Sequence, residues 1–146
     1  MFKSLNQFLK IQRVIVRIRW LIFTKVWGMK IGKSTVISLR TKMDMTNPKG
    51  IHIGEDTYIA FEVSILAHDM CRAKKVDTFI GDRCFIGCKS IVLPGVRVGN
   101  ECIVAAGSVV TKDVPDRCIV AGNPAAIVKR DIQVGRFGVL KKSKES

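Results

Sequence analysis

The chain has 146 residues, 47% of them hydrophobic and 25% charged, and a net charge of +13. It is long enough for one domain with its own core and too apolar for a disordered polypeptide. The basic excess raises nucleic acid as a partner. No nucleic-acid module is legible, however, and aromatics make up only 7%, too few to stack bases, so a nucleic-acid function is set aside.

The charge is concentrated at the start. Residues 1–43 carry ten Lys or Arg and no acid; Asp44 is the first acid, and the other 103 residues hold fifteen bases and twelve acids. Residues 1–27 read as a basic amphipathic helix. Lys3, Asn6, Lys10, Arg13, Arg17 and Thr24 share a polar sector, and Leu5, Phe8, Leu9, Ile11, Ile15, Ile18 and Ile22 fill the wider remainder. Arg17 and Arg19 interrupt the apolar run, which argues against both a transmembrane span and a secretory signal. Basic residues beside Trp20 and Trp27 suit a helix lying in a membrane surface. Packing on its own domain or on a neighbouring subunit is the alternative, and the residues leave both open.

Residues 28–121 form the main domain, and a repeat dominates it. Apolar residues recur every six positions: Ile31, Ile37 and Met43, then Ile53, Ile59 and Ile65, then Ile80, Ile86, Val92, Val98, Val104 and Val110. A small residue often follows, as at Gly32, Gly54, Ala60, Gly81, Gly87, Gly99 and Ala105. Another mostly small residue stands four places on, for example Thr35, Thr57, Cys84, Ser90, Cys102 and Ser108. This period fits a parallel β-helix with short flat faces. The aliphatic residues point inward, the second small residues fit near the corners, and glycine is expected to supply turn conformations that a Cβ would oppose. With three faces a coil takes eighteen residues, so the repeat predicts roughly five coils, about 24 Å long.

The period breaks twice. About nine extra residues between Ile65 and Ile80 predict an extruded loop over 66–79, which contains His68-Asp69. Four extra residues fall near Asn47-Pro48-Lys49-Gly50. Loops that leave a rigid scaffold are where function tends to sit. Residues 122–146 form a C-terminal extension. Gly122-Asn123-Pro124 closes the repeat, Ala125–Lys129 suits a helical turn or a strand, and the lysine-rich tail is expected to fray.

The five cysteines (71, 84, 88, 102 and 118) are odd in number and follow no secretory signal, which favours reduced thiols and a cytoplasmic location. They show no paired zinc-ligand spacing, so no metal is assigned. Cys84 and Cys102 fall on inward small-residue positions and read as core.

The stretch Ile80–Arg130, with its IGxxxxIG, PGVxVG, AAGSVVTKDVP and AGNPA elements, and the upstream IGEDTYIAFEVSILAHD resemble the hexapeptide-repeat acyltransferases. Among these are the maltose and galactoside O-acetyltransferases, the serine acetyltransferases and the polysaccharide- and lipopolysaccharide-modifying acetyltransferases. The match covers residues 51–130. The resemblance implies an all-β, left-handed parallel β-helix, a homotrimer with active sites between subunits, and acetyl-coenzyme A as co-substrate.

By the same resemblance His68 aligns with the family's catalytic histidine. A neutral imidazole can take the proton of a hydroxyl or amine as it attacks the thioester. Asp69 and Glu62 are the candidates for orienting it, although adjacent residues in extended chain point apart. His52 is expected to face outward from a strand. For the coenzyme the resemblance nominates Phe85, Cys88, Ala106, Gly107, Thr111, Lys112, Lys129 and Arg130. Phe85 stands where sugar acetyltransferases often have Trp, and Ala126 where an Arg is often found.

The expected reaction is acetyl transfer to a sugar hydroxyl. The basic N-terminus favours surface-polysaccharide or lipopolysaccharide assembly, with a lipid-linked or nucleotide-linked acceptor and peripheral contact with the inner face of the membrane through residues 1–27. N-acetylation of an amino sugar, serine O-acetylation and a non-catalytic scaffold remain as alternatives. A carbonic anhydrase on the same prism would need about three histidines per zinc, and the chain has two. Groups that recognise the acceptor are expected near Asp44 to Lys49.

Overall fold

A computed structural model describes residues 5–141 of the chain. The expected tail falls largely beyond them, as does Lys3 of the polar sector. The first element, α1 (Leu5–Leu21), continues into a π-helical turn at Ile22–Val26.

Short strands follow at the hexapeptide spacing and stack into a three-faced prism. The first face is β1 (Lys30–Ile31), β4 (Ile51–Ile53), β9 (Thr78–Ile80) and β12 (Arg97–Val98). The second is β2 (Val36–Ile37), β5 (Tyr58–Ile59), β10 (Phe85–Ile86), β13 (Ile103–Val104) and β15 (Ile119–Gly122). The third is β3 (Lys42–Met43), β6 (Ser64–Ile65), β11 (Ile91–Val92) and β14 (Val109–Val110). All these pairings are parallel, with inward residues in register: Ile37 over Ile59, Ile59 over Ile86, Ile86 over Val104. Four turns are complete. A fifth is partial, carried by β15 and by a bridge from Val98 to Val114. Ala125–Lys129 is a strand, β16, which turns back antiparallel on β15.

Burial follows the period. Ile59, Ile86, Val92 and Val104 are fully enclosed, while their strand neighbours Tyr58, Phe85, Ile91 and Ile103 face outward and are half-buried. Two-residue strands bury little each, so the core is one continuous column whose coils support one another.

The corner residues form a second column. The Thr35 hydroxyl donates to the Gly54 carbonyl at 2.6 Å, and Thr57 to Gly81 at 2.8 Å. Cys84 and Cys102 continue the series, their thiols donating to Gly99 at 3.1 Å and Pro115 at 3.0 Å. Each coil thereby supplies a side-chain donor to a carbonyl at the corner of the next coil.

The glycine expectation needs correcting. Gly32, Gly54, Gly81, Gly87 and Gly99 are not in the left-handed region; that conformation falls instead on Asp56, Arg83, Glu101 and Arg117, with φ of 52–57°. The glycines are required by close approach. A Cβ on Gly54 would lie 2.1 Å from Asp82 Oδ1 and 2.8 Å from the Asp82 backbone nitrogen, and one on Gly99 would lie 2.3 Å from Asp116 Oδ1. Those carboxylates sit there for a reason. Asp82 accepts from the Glu55 N–H at 2.8 Å, Asn100 from the Asp82 N–H at 2.8 Å, and Asp116 from the Asn100 N–H at 2.7 Å. Each coil caps the corner of the one before.

The end of α1 packs on the prism. Trp20 is buried, its indole N–H donating to the Gly32 carbonyl at 3.0 Å, so it is unavailable to a membrane. Arg19 reaches the Thr41 carbonyl at 3.1 Å. Phe8, Ile11, Val14, Ile15 and Ile18 are 41–57% exposed. No described helix is long and apolar enough to cross a membrane.

Candidate active site

The two interruptions of the hexapeptide period lie on the same edge of the prism, where the third face returns to the first, and they pack on each other. The shorter ends in a 3₁₀ turn at Pro48–Gly50. The longer folds into a small antiparallel pair, β7 (His68–Asp69) against β8 (Lys74–Lys75), before the chain rejoins the prism at Thr78.

The base of this loop is clamped. The Asn47 amide donates to the Ala67 carbonyl at 2.9 Å, and the Thr78 hydroxyl donates to the Leu66 carbonyl at 2.6 Å. Gly50 makes room for the clamp, since a Cβ there would lie 2.3 Å from Asn47 Nδ2.

Asp44 lies beneath this loop. It follows the inward Met43, and its side chain is 1% exposed. Its carboxylate accepts the Ala67 N–H at 2.7 Å and the Thr46 N–H at 2.9 Å, and it also holds Nδ1 of His68. Burial alone would push the Asp44 pKa up. The Ala67 N–H, the His68 ring and the Thr46 N–H together outweigh it and hold the pKa below the usual carboxylate value. An ionised Asp44 can only accept, so Nδ1 carries the proton, and Nε2 is the nitrogen that a neutral ring would leave with a lone pair. The His68 side chain is 23% exposed.

The two residues expected to orient His68 are engaged elsewhere. Asp69 pairs with Arg72 at 3.0 Å, facing away from its neighbour as extended chain dictates. Glu62 pairs with Arg40 on a different corner. Asp44 is the partner that the sequence reading missed. Its signal was an acid directly after an inward position and in register with the residue before Ala67, where no solvated role is available. His52 faces outward as expected, stacked on Phe79 with centroids 4.4 Å apart and bonded to Asp77 at 2.9 Å.

The residues nominated for the coenzyme are distributed around the prism. Thr111 and Lys112 are exposed on the same edge as His68, above it. Cys88, Ala106 and Gly107 lie on the edge between the second and third faces, where the Gly107 N–H donates to the Cys88 carbonyl at 2.8 Å. Ala106 and Gly107 are exposed, and a Cβ on Gly107 would meet nothing within 4 Å, so backbone is open to a ligand there. Phe85 stacks on Tyr58 at 5.8 Å beneath the chain's own C-terminal turn, where a Cβ on Gly138 would come within 2.6 Å of the Phe85 Cβ. Lys129 and Arg130 are exposed at the end of β16. One chain therefore does not bring His68 and Gly107 into a shared cleft, because the whole third face separates them.

Comparison with known proteins fits this architecture. A family signature described as "Hexapeptide repeat of succinyl-transferase" matches residues 78–112. The chain is 41% identical over 123 residues to YvoF of Bacillus subtilis (strain 168), an acetyltransferase by name, covering 80% of this chain and 68% of that protein. The chain belongs to the hexapeptide-repeat acyltransferases. Membership implies the left-handed coil. A tetrahydropyridine-dicarboxylate N-acetyltransferase of Staphylococcus aureus (strain MRSA252) is 37% identical over 89 residues, and the chain spans 34% of its length. Among solved structures, the polySia-specific acetyltransferase NeuO superposes with a TM-score of 0.61 at 31% identity, over 82% of this chain and 57% of NeuO.

Proposed function

We propose that the protein transfers acetyl from acetyl-coenzyme A to a sugar hydroxyl, with His68 as general base and Asp44 as the residue that positions it. The observation carrying this reading is the hydrogen bond from His68 Nδ1 to a buried, ionised Asp44 at the root of the extruded loop, in a chain of this family. As the acceptor oxygen attacks the thioester carbonyl, Nε2 takes its proton. The C–S bond breaks, and the proton passes to the departing thiolate, so atoms and charge balance without an acyl-enzyme.

Coenzyme A would lie along a groove between two prisms. The open backbone at Ala106-Gly107 of one subunit and the His68 edge of the next are complementary parts, which a closed trimer would join. By resemblance to the family, Lys112, Lys129 and Arg130 would supply cations for its phosphates. NeuO's polymeric sialic acid substrate favours a surface polysaccharide or its precursor as acceptor. The exposed apolar stripe of α1, in the basic first third of the chain, favours work at a membrane surface. The N-acetyltransferase relative supports a second reading, transfer to an amine, which would use the same base.

The test is release of free thiol from acetyl-coenzyme A across sugars, amino sugars, nucleotide sugars and serine. Turnover with one acceptor that collapses in His68→Ala supports the reading. No turnover with any acceptor, together with no calorimetric binding of coenzyme A, would sink it in favour of a scaffold.

A further inference from the structure

Between α1 and the second face lies a cavity of about 390 Å³, separate from the His68 edge. That size is within the usual range of small-molecule sites. Its walls carry four cations, Arg13 and Arg17 from the helix, Lys33 from the prism and Arg136 from the C-terminal turn, and no acid. Two carboxylates stand just outside: Asp56 pairs with Arg136 at 2.9 Å, and Glu55 is turned to the amides of Lys33 and Ser34 at 3.1 and 3.0 Å. About two positive charges are left over. Arg17 lies over the Trp20 ring at 4.9 Å, the Lys33 charge interacts with the Glu55 carboxylate, and the Arg13 side chain has no hydrogen-bond or ion-pair partner among the described residues.

The floor is polar in a directed way. Ser38 Oγ donates to the Tyr58 hydroxyl at 3.0 Å, which leaves the Tyr58 O–H to donate to a ligand. Cations of this kind repel one another, and holding several of them around a concave space is offset when an anion binds among them. An apolar wall from Val16, Trp20 and Val36 would face the uncharged part of the same ligand.

We infer that this cavity is a binding site for a phosphate ester of monosaccharide size, distinct from the acetyl-transfer site. The phosphate would sit between Arg13 and Lys33, with Tyr58 donating to it. The same chemistry is presented by a free sugar phosphate and by a phospholipid headgroup.

Calorimetry on the full chain, without coenzyme A and at low ionic strength, separates the outcomes. The probes are inorganic phosphate, glucose 1-phosphate and glucose, alongside sedimentation with phosphatidylcholine vesicles containing or lacking phosphatidylglycerol. The expected result is binding of glucose 1-phosphate but not glucose, about tenfold or more weaker in an Arg13→Gln/Lys33→Gln variant, weakened by salt, and unchanged in His68→Ala. Vesicle binding that needs phosphatidylglycerol and is lost in the double variant, without binding of the soluble ester, would assign the site to a lipid headgroup. Equal affinity in the double variant, equal binding of glucose, or no binding of any phosphate-bearing probe would overturn the inference. Because His68→Ala is expected to bind normally, failure here is distinguishable from failure of the acetyl-transfer reading.

Discussion

Asp44 and His68 are 24 residues apart in sequence yet share a hydrogen bond, because Asp44 belongs to the first coil and His68 leaves the second directly above it. The carboxylate is enclosed, accepts two backbone N–H groups and fixes the imidazole in one tautomer. Asp44→Asn would keep the shape and lose the charge. Its kcat is expected to fall by about 10²–10⁴ with KM for acetyl-coenzyme A little changed. Steady-state kinetics check this, with Asp69→Asn as the comparison expected to retain most activity.

The same carboxylate makes stability depend on pH. Its pKa in the folded protein is lowered, so its contribution is present above the unfolded-state value of about 3.9 and is lost as pH falls through the folded value. Urea titrations from pH 6 downward should show the wild type losing stability below about pH 4. Asp44→Asn should start less stable and decline less steeply over that window.

Two glycine substitutions should separate close approach from backbone conformation. Gly54→Ala forces a Cβ into Asp82 at 2.1 Å and is expected to cost about 3 kcal/mol or more, read as a large fall in thermal midpoint. Gly107 has φ of 70° and open space, so Gly107→Ala should cost only about 1–2 kcal/mol. Calorimetric titration should show it weakening coenzyme A binding more than its effect on folding explains.

Thiol reactivity should divide the cysteines. The neighbouring Cys102 thiol and burial push the Cys84 pKa well up, and Cys84, Cys102 and Cys118 are enclosed. Cys71 is exposed in the loop and Cys88 is half-buried. A chromogenic disulfide reagent should modify Cys71 at once and Cys88 slowly, with the other three reacting only on denaturation. Rapid modification of Cys84 in the native protein would contradict the packing described.

The fold was legible because the constraint behind it repeats. Each inward position must be aliphatic, so Ile59, Ile86 and Val104 announce the prism through their spacing alone. Reading Cys84 and Cys102 as core followed from the same column, though not their thiol donation to corner carbonyls. The glycines misled because residue identity does not report conformation: Arg83 and Glu101 carry the left-handed turns, while Gly81 and Gly99 yield space to the next coil. Trp20 misled in a similar way, since an amphipathic pattern does not show that the Gly32 carbonyl would take its indole. Asp44 escaped notice as the partner of His68 because their contact depends on two irregular segments packing together, and a periodic reading discards irregular segments first.

The chain of corner caps from Asp82 through Asn100 to Asp116 makes the coils interchangeable parts. The 18 residues from Gly81 to Val98 could be excised, and the Glu55 amide would then find Asn100 where it now finds Asp82, with Val104 landing on Ile59 and Val110 on Ile65. The prism's length is thus a quantity that evolution can change in whole steps without redesigning a joint. It is free to be set by how far the open backbone near Gly107 must stand from the edge that holds His68.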